Sequence, residues 1–422
     1  VKENLQKTHF ERKGMTMQMD VMTALYKLEG EKQFDYIFMD PPYNHELEKS
    51  VLAAANGEVG AEDVPNIFSA YADTANTMNQ KDMIVNLSDY LTDKEKDAYV
   101  EEYLREGDFS DDGSIRIFPT AKSTELLFLN DTDWQKFAEA TGAAYRDLET
   151  IEGLVAVAEK YYEWTDSQTP EENDGRALFG RDAMANYMLV GAEELGCNIF
   201  DVKDGKMTLN FDEDVIRKLW DNYYVPFVKG YFAASGRFRS DDIKTGNVIS
   251  YVGSTSSATF FPTVVSIDDD QTYNIDLKVL PCPKFKDGED WAVQQGAGMA
   301  VAKSDEEHEY ASTVFLKWFT QKEQNLKFVC ESAYMPVLKE SNNMKALDQI
   351  IKEEKIDMNN KAYDCLKTVL RDFDNTKFYT TKSFENGYSM RKILDYNLKD
   401  RVTADKTAMG EAIAAGASRE EE

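Results

Sequence analysis

The sequence predicts an α/β fold built from layers of helices and strands. Short apolar segments with the composition of buried strands alternate with amphipathic helices along most of the 422 residues. A chain of this length can bury more than one substantial core, because single compact domains are usually smaller. We therefore expect an α/β protein with more than one domain.

Three helices are predicted from their first residues and their apolar faces. The first begins at Thr132–Trp134 and has Gly142 beyond its end. Thr150 is expected to cap the second, whose apolar stripe runs over residues 154–161. The third opens with the capping-box pattern at 304–307. Its buried side is expected to consist of Tyr310, Ala311, Val314, Phe315 and Trp318.

Short apolar runs predict the strands. Each run is four to seven residues long and rich in β-branched, aromatic or leucine side chains, which is typical of strands buried in a sheet. The five predicted strands are 115–118, 124–129, 248–252, 274–280 and 298–302. Since helical segments separate these runs, they favour the layered α/β arrangement over an all-β one.

Charge and cysteine content exclude several classes of protein. With 48 basic and 77 acidic residues the formal net charge is −29, and so negative a surface repels nucleic-acid phosphates. No stretch of 18 apolar residues predicts a membrane span. The cysteines form no CxxC pair, so we expect neither zinc nor a thioredoxin-type site, and buried free thiols are favoured over one or two disulfides. They are Cys197, Cys282, Cys330 and Cys365.

Residues 34–43, FDYIFMDPPY, form a predicted apolar strand that runs into a proline turn. The Asp40 carboxylate can accept a hydrogen bond from the exocyclic amine of a base, on which the Tyr43 ring can stack. Together with KENLQKTHFE before it, this stretch resembles the small-subunit ribosomal RNA guanine-N2 methyltransferases. The resemblance implies that Asp20 lies near the cofactor adenine. It also implies that the target base faces Asp40, Pro41, Pro42 and Tyr43.

A complete methyltransferase needs a glycine-rich turn after its first strand, where the backbone approaches S-adenosylmethionine. Residues 1–53 contain only Gly14 and Gly30, and neither follows a strand in this way. We therefore interpret residues 1–52 as a Rossmann-like fragment with a vestigial motif, no catalytic residue and no cofactor. An S-adenosylmethionine-dependent rRNA guanine-N2 methyltransferase remains the alternative function.

From about residue 53 to residue 422 the chain is similar to another family. An ordered series of segments carries the resemblance: SIRIFPTAKSTELLFLN, FRSDDIKTGNVISYVGSTSS, KVLPCPKF, QQGAGMAVAKS, FLKWFTQKEQN and SAYMPVLKE. This order resembles the family-1 extracellular solute-binding proteins of bacterial ABC importers. Such a protein binds its ligand without transforming it, so the resemblance implies that the chain is not an enzyme.

The resemblance implies a two-lobed, periplasmic-binding-protein-like fold of type II. The N-terminal lobe would comprise about 53–130 and a return segment near 295–340, and the C-terminal lobe about 150–290 with the C-terminal helices. We expect the N-terminal lobe to be incomplete, because the family's first strand, first helix and second strand would precede Ala53. A sugar is the implied ligand, a membrane permease the implied partner and the cell exterior or surface the implied location, although no signal peptide is recognised.

The ligand is expected in a cleft between the lobes. Arg181 and Asp182 stand at a predicted helix start, where they could either cap the helix or contact ligand. Trp291 and Tyr334 are candidate stacking platforms, and the other positions offer hydroxyl, carboxylate, amide or backbone groups at strand ends. The candidate ligand-binding residues are Thr124, Glu125, Arg181, Asp182, Gly253, Ser254, Thr255, Trp291, Gln295, Gly296 and Tyr334.

Enzyme and metal sites have little basis in the sequence. The chain has three histidines, of which only His308 lies beyond the first 52 residues, and no GxSxG turn occurs. Residues 108–113 imitate the start of a calcium-binding loop, but Pro119 stands where a bidentate Glu belongs. We therefore interpret this segment as a turn and expect no metal site.

Overall fold

The computed structural model describes residues 64–203, 205–267 and 271–417. By the density of its contacts the chain divides into two units, residues 1–40 and 41–422, and every described residue belongs to the second. The predicted methyltransferase-like fragment, with Asp20 and the turn from Asp40 to Tyr43, lies outside the described residues.

The described residues form alternating helices and strands, as the sequence predicts. The strands are β1 Ile67–Ala70, β2 Glu125–Asn130, β3 Phe179–Arg181, β4 Phe200–Lys203, β5 Lys206–Leu209, β6 Ser250–Ser254, β7 Val264–Ser266, β8 Thr272–Asn274, β9 Leu277–Pro281, β10 Trp291–Val293, β11 Gly298–Val301 and β12 Lys377–Tyr379. The helices are α1 Ala72–Asn79, α2 Asp93–Ala98, α3 Glu101–Arg105, α4 Asp131–Thr141, α5 Ile151–Asp166, α6 Met184–Glu194, α7 Glu213–Asp221, α8 Tyr224–Val228, α9 Arg239–Lys244, α10 Glu306–Phe319, α11 Lys322–Ser332, α12 Met344–Glu354, α13 Asn360–Asp372 and α14 Gly387–Ala414.

The largest sheet among the described residues is mixed and has four strands. Its strand order is β3-β6-β2-β9, with β3 parallel to β6 and with β2 antiparallel to both of its neighbours. Every residue of β2 is buried, because helices cover both faces of the sheet. Leu127 and Leu129 pack into one core with α4, α5 and α6, whereas Leu126 and Phe128 pack into another.

A smaller antiparallel sheet pairs β1 with β11. Isolated bridges from Ile84 to Ala302 and from Phe118 to Met299 extend it. Its core is continuous with the one beneath Leu126 and Phe128. The chain passes between the two sheets through residues 118–125 and again through residues 293–298, so these two segments connect the layers.

Strand predictions succeed where the apolar run is long. β2, β6, β9 and β11 overlap four predicted segments, although β2 and β9 end one residue later and β6 two residues later than predicted, and β6 and β9 also begin later. The prediction of a strand at 115–118 is wrong, since only Phe118 forms a bridge there. An apolar run favours an extended backbone, but a strand also needs a partner along its length.

Two of the predicted helix ends are confirmed. The Thr150 hydroxyl accepts a hydrogen bond from the backbone N–H of Gly153 at 3.1 Å, and Gly142 ends α4 with a left-handed φ of 75°. The start of α4 is one residue earlier than predicted, since Asn130 is its cap and accepts from the Asp133 N–H. The cap of α10 is Asp305, which accepts from the His308 N–H at 3.0 Å.

The predicted buried face of α10 is wrong. Tyr310 is 62% exposed and Trp318 is 48% exposed. The helix buries Ser312, Thr313 and Leu316 instead. Burying Thr313 is inexpensive, because its hydroxyl donates to the Glu309 carbonyl within the same helix at 2.9 Å. Of the predicted aromatic residues, Phe315 still packs against the core, while Tyr310 and Trp318 are exposed.

Replacing Thr150 with alanine is expected to destabilise the protein by about 1 kcal/mol, because the first turn of α5 loses the side-chain acceptor for its Gly153 N–H. The free energy of unfolding from urea titration measures the effect. Thr150→Ser keeps the hydroxyl and is expected to stay close to the wild type. Equal losses in both variants would show that the methyl group matters and the cap does not.

The predicted free thiols are confirmed. All four cysteines are free, three of them buried and Cys282 partly buried.

Among the described residues, none of the helices combines the length and apolar composition that crossing a bilayer requires. The described ranges also hold no group of three or more His, Cys, Asp or Glu side chains placed to bind a metal ion. Residues 108–113 form a turn, in which the Asp108 carboxylate accepts backbone N–H groups from Asp112 and Gly113.

Candidate functional site

A pocket of about 350 Å³, part of it open to solvent, lies at the ends of β2 and β3. Four of the predicted ligand-binding residues line it together: Thr124, Glu125, Arg181 and Trp291. Thr124 and Glu125 come from the start of β2, Arg181 ends β3 and Trp291 begins β10. The remaining wall comes from α6 and from the segment after β9. Residues predicted from separate parts of the sequence thus meet at one site.

A buried ion pair forms the polar wall of this pocket. The Arg181 guanidinium donates to one carboxylate oxygen of Glu125, and Asn186 Nδ2 donates to the other at 2.6 Å. The Asn186 carbonyl oxygen in turn accepts from Arg391 on α14. Burial alone would lower the pKa of Arg181, but the Glu125 carboxylate together with the nearby Cys282, Tyr187 and Glu194 side chains outweighs that effect and raises it. The guanidinium therefore stays charged.

Two buried polar atoms at the pocket lack a hydrogen-bond partner among the described residues. They are the Thr124 hydroxyl and Arg181 Nε. Buried polar groups are nearly always paired with protein or water, because leaving one unpaired costs about 1–3 kcal/mol. At a pocket wall such atoms are suited to contact a bound molecule. The pocket therefore offers a free donor and a free hydroxyl beside a fixed ion pair.

The strand-end loop Gly253–Thr255 lies beside this pocket but does not line it. Gly253 and Ser254 belong to β6, and Ser254 lies opposite Glu125. The Thr255 N–H donates to the Thr124 carbonyl at 2.9 Å, while the buried Thr255 hydroxyl has no partner among the described residues. Through this hydrogen bond the loop fixes the backbone of Thr124.

Asp182 neither caps α6 nor lines the pocket. The helix begins at Met184 after Ala183 and has no side-chain cap. The Asp182 carboxylate accepts instead from the backbone N–H of Arg239 at 2.9 Å, and burial raises its pKa to about 6. Arg239 itself is buried and paired with Asp242. Asp182 thus links the end of β3 to the start of α9.

Gln295 and Gly296 lie on the connecting segment 293–298, Tyr334 lies beside Gly296, and none of the three lines the pocket. Gln295 exchanges backbone hydrogen bonds with Ser123 at 2.8 and 3.0 Å. Gly296 has φ +96°, and a Cβ there would approach the Tyr334 ring to 3.6 Å. The backbone of Gly296 favours glycine, because L side chains rarely adopt this φ. These residues define where the chain crosses between the two sheets.

Two charged residues near the segments that connect the sheets, Lys122 and Glu106, were not predicted from the sequence. The Lys122 side chain is fully buried; it forms an ion pair with Glu106 and donates to the Gly296 carbonyl at 2.9 Å. Gln294 Nε2 also donates to Glu106, at 3.0 Å. The available signal was a single lysine within the otherwise uncharged run 117–124. A charge in such a strand-like run requires a partner when it is buried.

A second pocket of about 350 Å³ lies between residues 105–111 and 380–383. Its rim carries an ion pair from Lys382 to Asp111 at 2.7 Å. Beside it, Asn76 Nδ2 donates to the Ser383 hydroxyl at 3.0 Å. The segment before α14 is therefore tied to residues that follow β1. None of the predicted ligand-binding residues lines this pocket.

A four-stranded sheet and the smaller β1–β11 sheet, joined by crossing segments next to a polar pocket, form an α/β arrangement typical of proteins that bind a small molecule in a cleft. A family model described as bacterial extracellular solute-binding protein matches residues 35–356. The chain belongs to this family. The family is non-enzymatic, in agreement with the sequence-based expectation. No curated protein sequence matches the chain.

Solved structures share the fold across nearly the whole chain. UgpB from Mycobacterium tuberculosis in complex with glycerophosphocholine is 18% identical, with 94% of this chain and 93% of that chain covered and a TM-score of 0.63. The solute-binding protein from Agrobacterium radiobacter K84 in complex with ribitol is 18% identical, with 95% of each chain covered and a TM-score of 0.63. The cyclic α-maltosyl-1,6-maltose binding protein from Arthrobacter globiformis is 14% identical, with 94% and 95% covered and a TM-score of 0.62.

These likenesses confirm the predicted two-lobed, periplasmic-binding-protein-like fold. No comparison supports the methyltransferase resemblance, and the family match begins at residue 35, inside FDYIFMDPPY. The incompleteness of the N-terminal lobe and the predicted lobe boundaries stay predictions.

Proposed function

We propose that this protein captures a sugar outside the cell membrane and delivers it to the permease of an ABC importer. The buried Glu125–Arg181 pair at the wall of the pocket is the observation that carries the proposal. The membership in an extracellular solute-binding family supports the location and the transport role. Structural neighbours that bind ribitol and a cyclic maltosyl-maltose support a polyhydroxylated ligand.

The polar groups of the pocket match the hydroxyl groups of a sugar. A carboxylate has about four acceptor sites, and Glu125 uses two of them for Arg181 and Asn186. Arg181 Nε remains a donor, and the Thr124 hydroxyl can donate and accept. Sugar hydroxyls also donate and accept, so a ring placed here can satisfy the unpaired atoms. An apolar ligand would leave them unpaired and lose that free energy.

Trp291 supplies the apolar surface that a sugar ring needs. Its indole is partly buried at the pocket wall, and its Nε1–H already donates to Glu289 at 3.2 Å. What the side chain offers the pocket is therefore its ring rather than its N–H. Flat aromatic surfaces stabilise ligands through a large contact area at low conformational cost.

Replacing Trp291 with alanine is expected to weaken sugar binding roughly tenfold, because the stacking surface is lost. Isothermal titration calorimetry with glucose, maltose and ribitol measures the change. Trp220→Ala is the matched control, since Trp220 lies on α7 and does not line the pocket. Failure of all three ligands to bind the wild type would refute the sugar proposal. If Trp291→Ala and Trp220→Ala bound the sugars with equal affinity, Trp291 would not contact the ligand.

A further inference from the structure

Glu194, the last residue of α6, is a carboxyl group that lines the pocket and forms no ion pair with a described residue. Its side chain is only 7% exposed and lines the pocket with Thr124 and Arg181. One of its oxygens accepts from the backbone N–H of Phe285 at 2.8 Å. Within the described ranges no lysine or arginine forms an ion pair with Glu194. Burial raises the pKa of Glu194 to about 7, although the Phe285 N–H and the more distant charges of Arg181 and Lys284 oppose this shift.

Four cations on or near the pocket wall form ion pairs with acids other than Glu194. The pairs are Arg181–Glu125, Lys284–Asp290, Lys218–Glu152 and Lys377–Glu289. The Cys282 and Tyr187 side chains also line the pocket, and burial raises the pKa of the thiol and of the phenol, so neither is charged near neutral pH. Each of these four cations therefore has its own acid, whereas Glu194 forms no ion pair among the described residues.

We infer that the captured solute is an amino sugar and that Glu194 binds its protonated amine. This inference rests on the proposed sugar function and narrows its ligand class. The ammonium group supplies the ion-pair partner that Glu194 lacks. Hydroxyl groups of the same molecule reach the Thr124 hydroxyl and Arg181 Nε. Charge-assisted hydrogen bonds of this kind are about twice as strong as neutral ones.

The charge of the whole molecule favours the same class of ligand. With a formal net charge of −29, the protein attracts small cations and repels small anions. An acidic sugar would meet Glu194 with a like charge in a site of low dielectric, which is unfavourable. A neutral sugar would leave the carboxyl group either protonated or unpaired. An amino sugar avoids both costs.

Calorimetric titration at pH 7.0 with matched sugars tests the inference. The probes are glucosamine, N-acetylglucosamine and glucose, and the second keeps the nitrogen but removes its charge. The wild type is expected to bind glucosamine roughly tenfold or more tightly than either neutral sugar. Glu194→Gln keeps an oxygen that can accept from the Phe285 N–H, so it should fold, and it is expected to bind all three sugars alike.

Glu193→Gln is the matched control. It removes the same charge from the adjacent position of α6, where Glu193 does not line the pocket, and is expected to keep the preference for glucosamine. If the neutral sugars bind as tightly as glucosamine, or if Glu194→Gln retains the preference, this inference fails while the sugar function stands. If none of the three sugars nor maltose or ribitol binds, both fail.

Discussion

Replacing Glu125 with alanine is expected to destabilise the protein by about 3–5 kcal/mol and to abolish sugar binding. The substitution leaves the buried Arg181 guanidinium without its carboxylate, and a buried charge without a partner is far more costly than no charge at all. It also leaves the Nδ2 group of Asn186 without an acceptor. Guanidinium chloride unfolding followed by circular dichroism measures the free energy of unfolding.

The double variant Glu125→Leu with Arg181→Met separates charge from packing. Exchanging a buried ion pair for apolar side chains of similar volume is often neutral for stability, so this variant is expected to regain most of the loss. It is still expected not to bind sugar, because both polar groups are gone. If Glu125→Ala alone cost less than about 1 kcal/mol, the pair would have to be solvated in solution, contrary to its burial.

Replacing Trp134 with alanine is expected to destabilise the protein by about 3–5 kcal/mol, because it opens a large cavity between β2 and α4. Trp134 is 1% exposed. Its ring meets the Phe137 ring edge-on, with 5.5 Å between the ring centroids, and stacks on the Tyr145 ring, with 5.7 Å between the centroids. Few neighbours can collapse into the space of an indole, since the site is lined by other aromatic rings. The unfolding free energy from guanidinium chloride titration measures the effect.

Trp220→Ala provides the matched comparison. Trp220 is 38% exposed and stacks on Tyr224 at 4.2 Å, so its loss is expected to cost about 1 kcal/mol. Folded Trp134→Ala protein is expected to keep its sugar affinity, because Trp134 does not line the pocket. Equal destabilisation by the two substitutions would contradict the assignment of Trp134 to the core.

The parts of the site that the sequence predicts follow from local pattern and family resemblance. Thr124 and Glu125 stand where an apolar run begins, and the observed strand starts at Glu125. Arg181 ends a strand of only three residues, which periodicity is too short to reveal. Trp291 begins another such strand. Their meeting at one pocket depends on the strand order β3-β6-β2, a long-range pairing that no local segment encodes.

Glu194 shows why the rest of the site escaped sequence reasoning. A glutamate in the last turn of a helix has the pattern of a solvated surface residue. It is buried because the segment after β9 folds back so that the Phe285 N–H meets its carboxylate. Phe285 is 91 positions further along the chain, and the residues between carry no signal of this contact. The same reason explains Lys122 and Glu106, whose pairing also depends on how the chain crosses between the sheets.

The sequence by itself determined the α/β class, the caps at Thr150 and Gly142 and, through an ordered set of segments, the resemblance to solute-binding proteins, and it favoured free cysteines over disulfides. These features depend on residues close together in the chain, where backbone preference and hydrogen bonding act locally. Only the tertiary structure decided which face of α10 is buried and which acid at the pocket has no ion-pair partner. Burial and ion pairing depend on elements distant in the chain, because desolvation is set by everything that packs around a group.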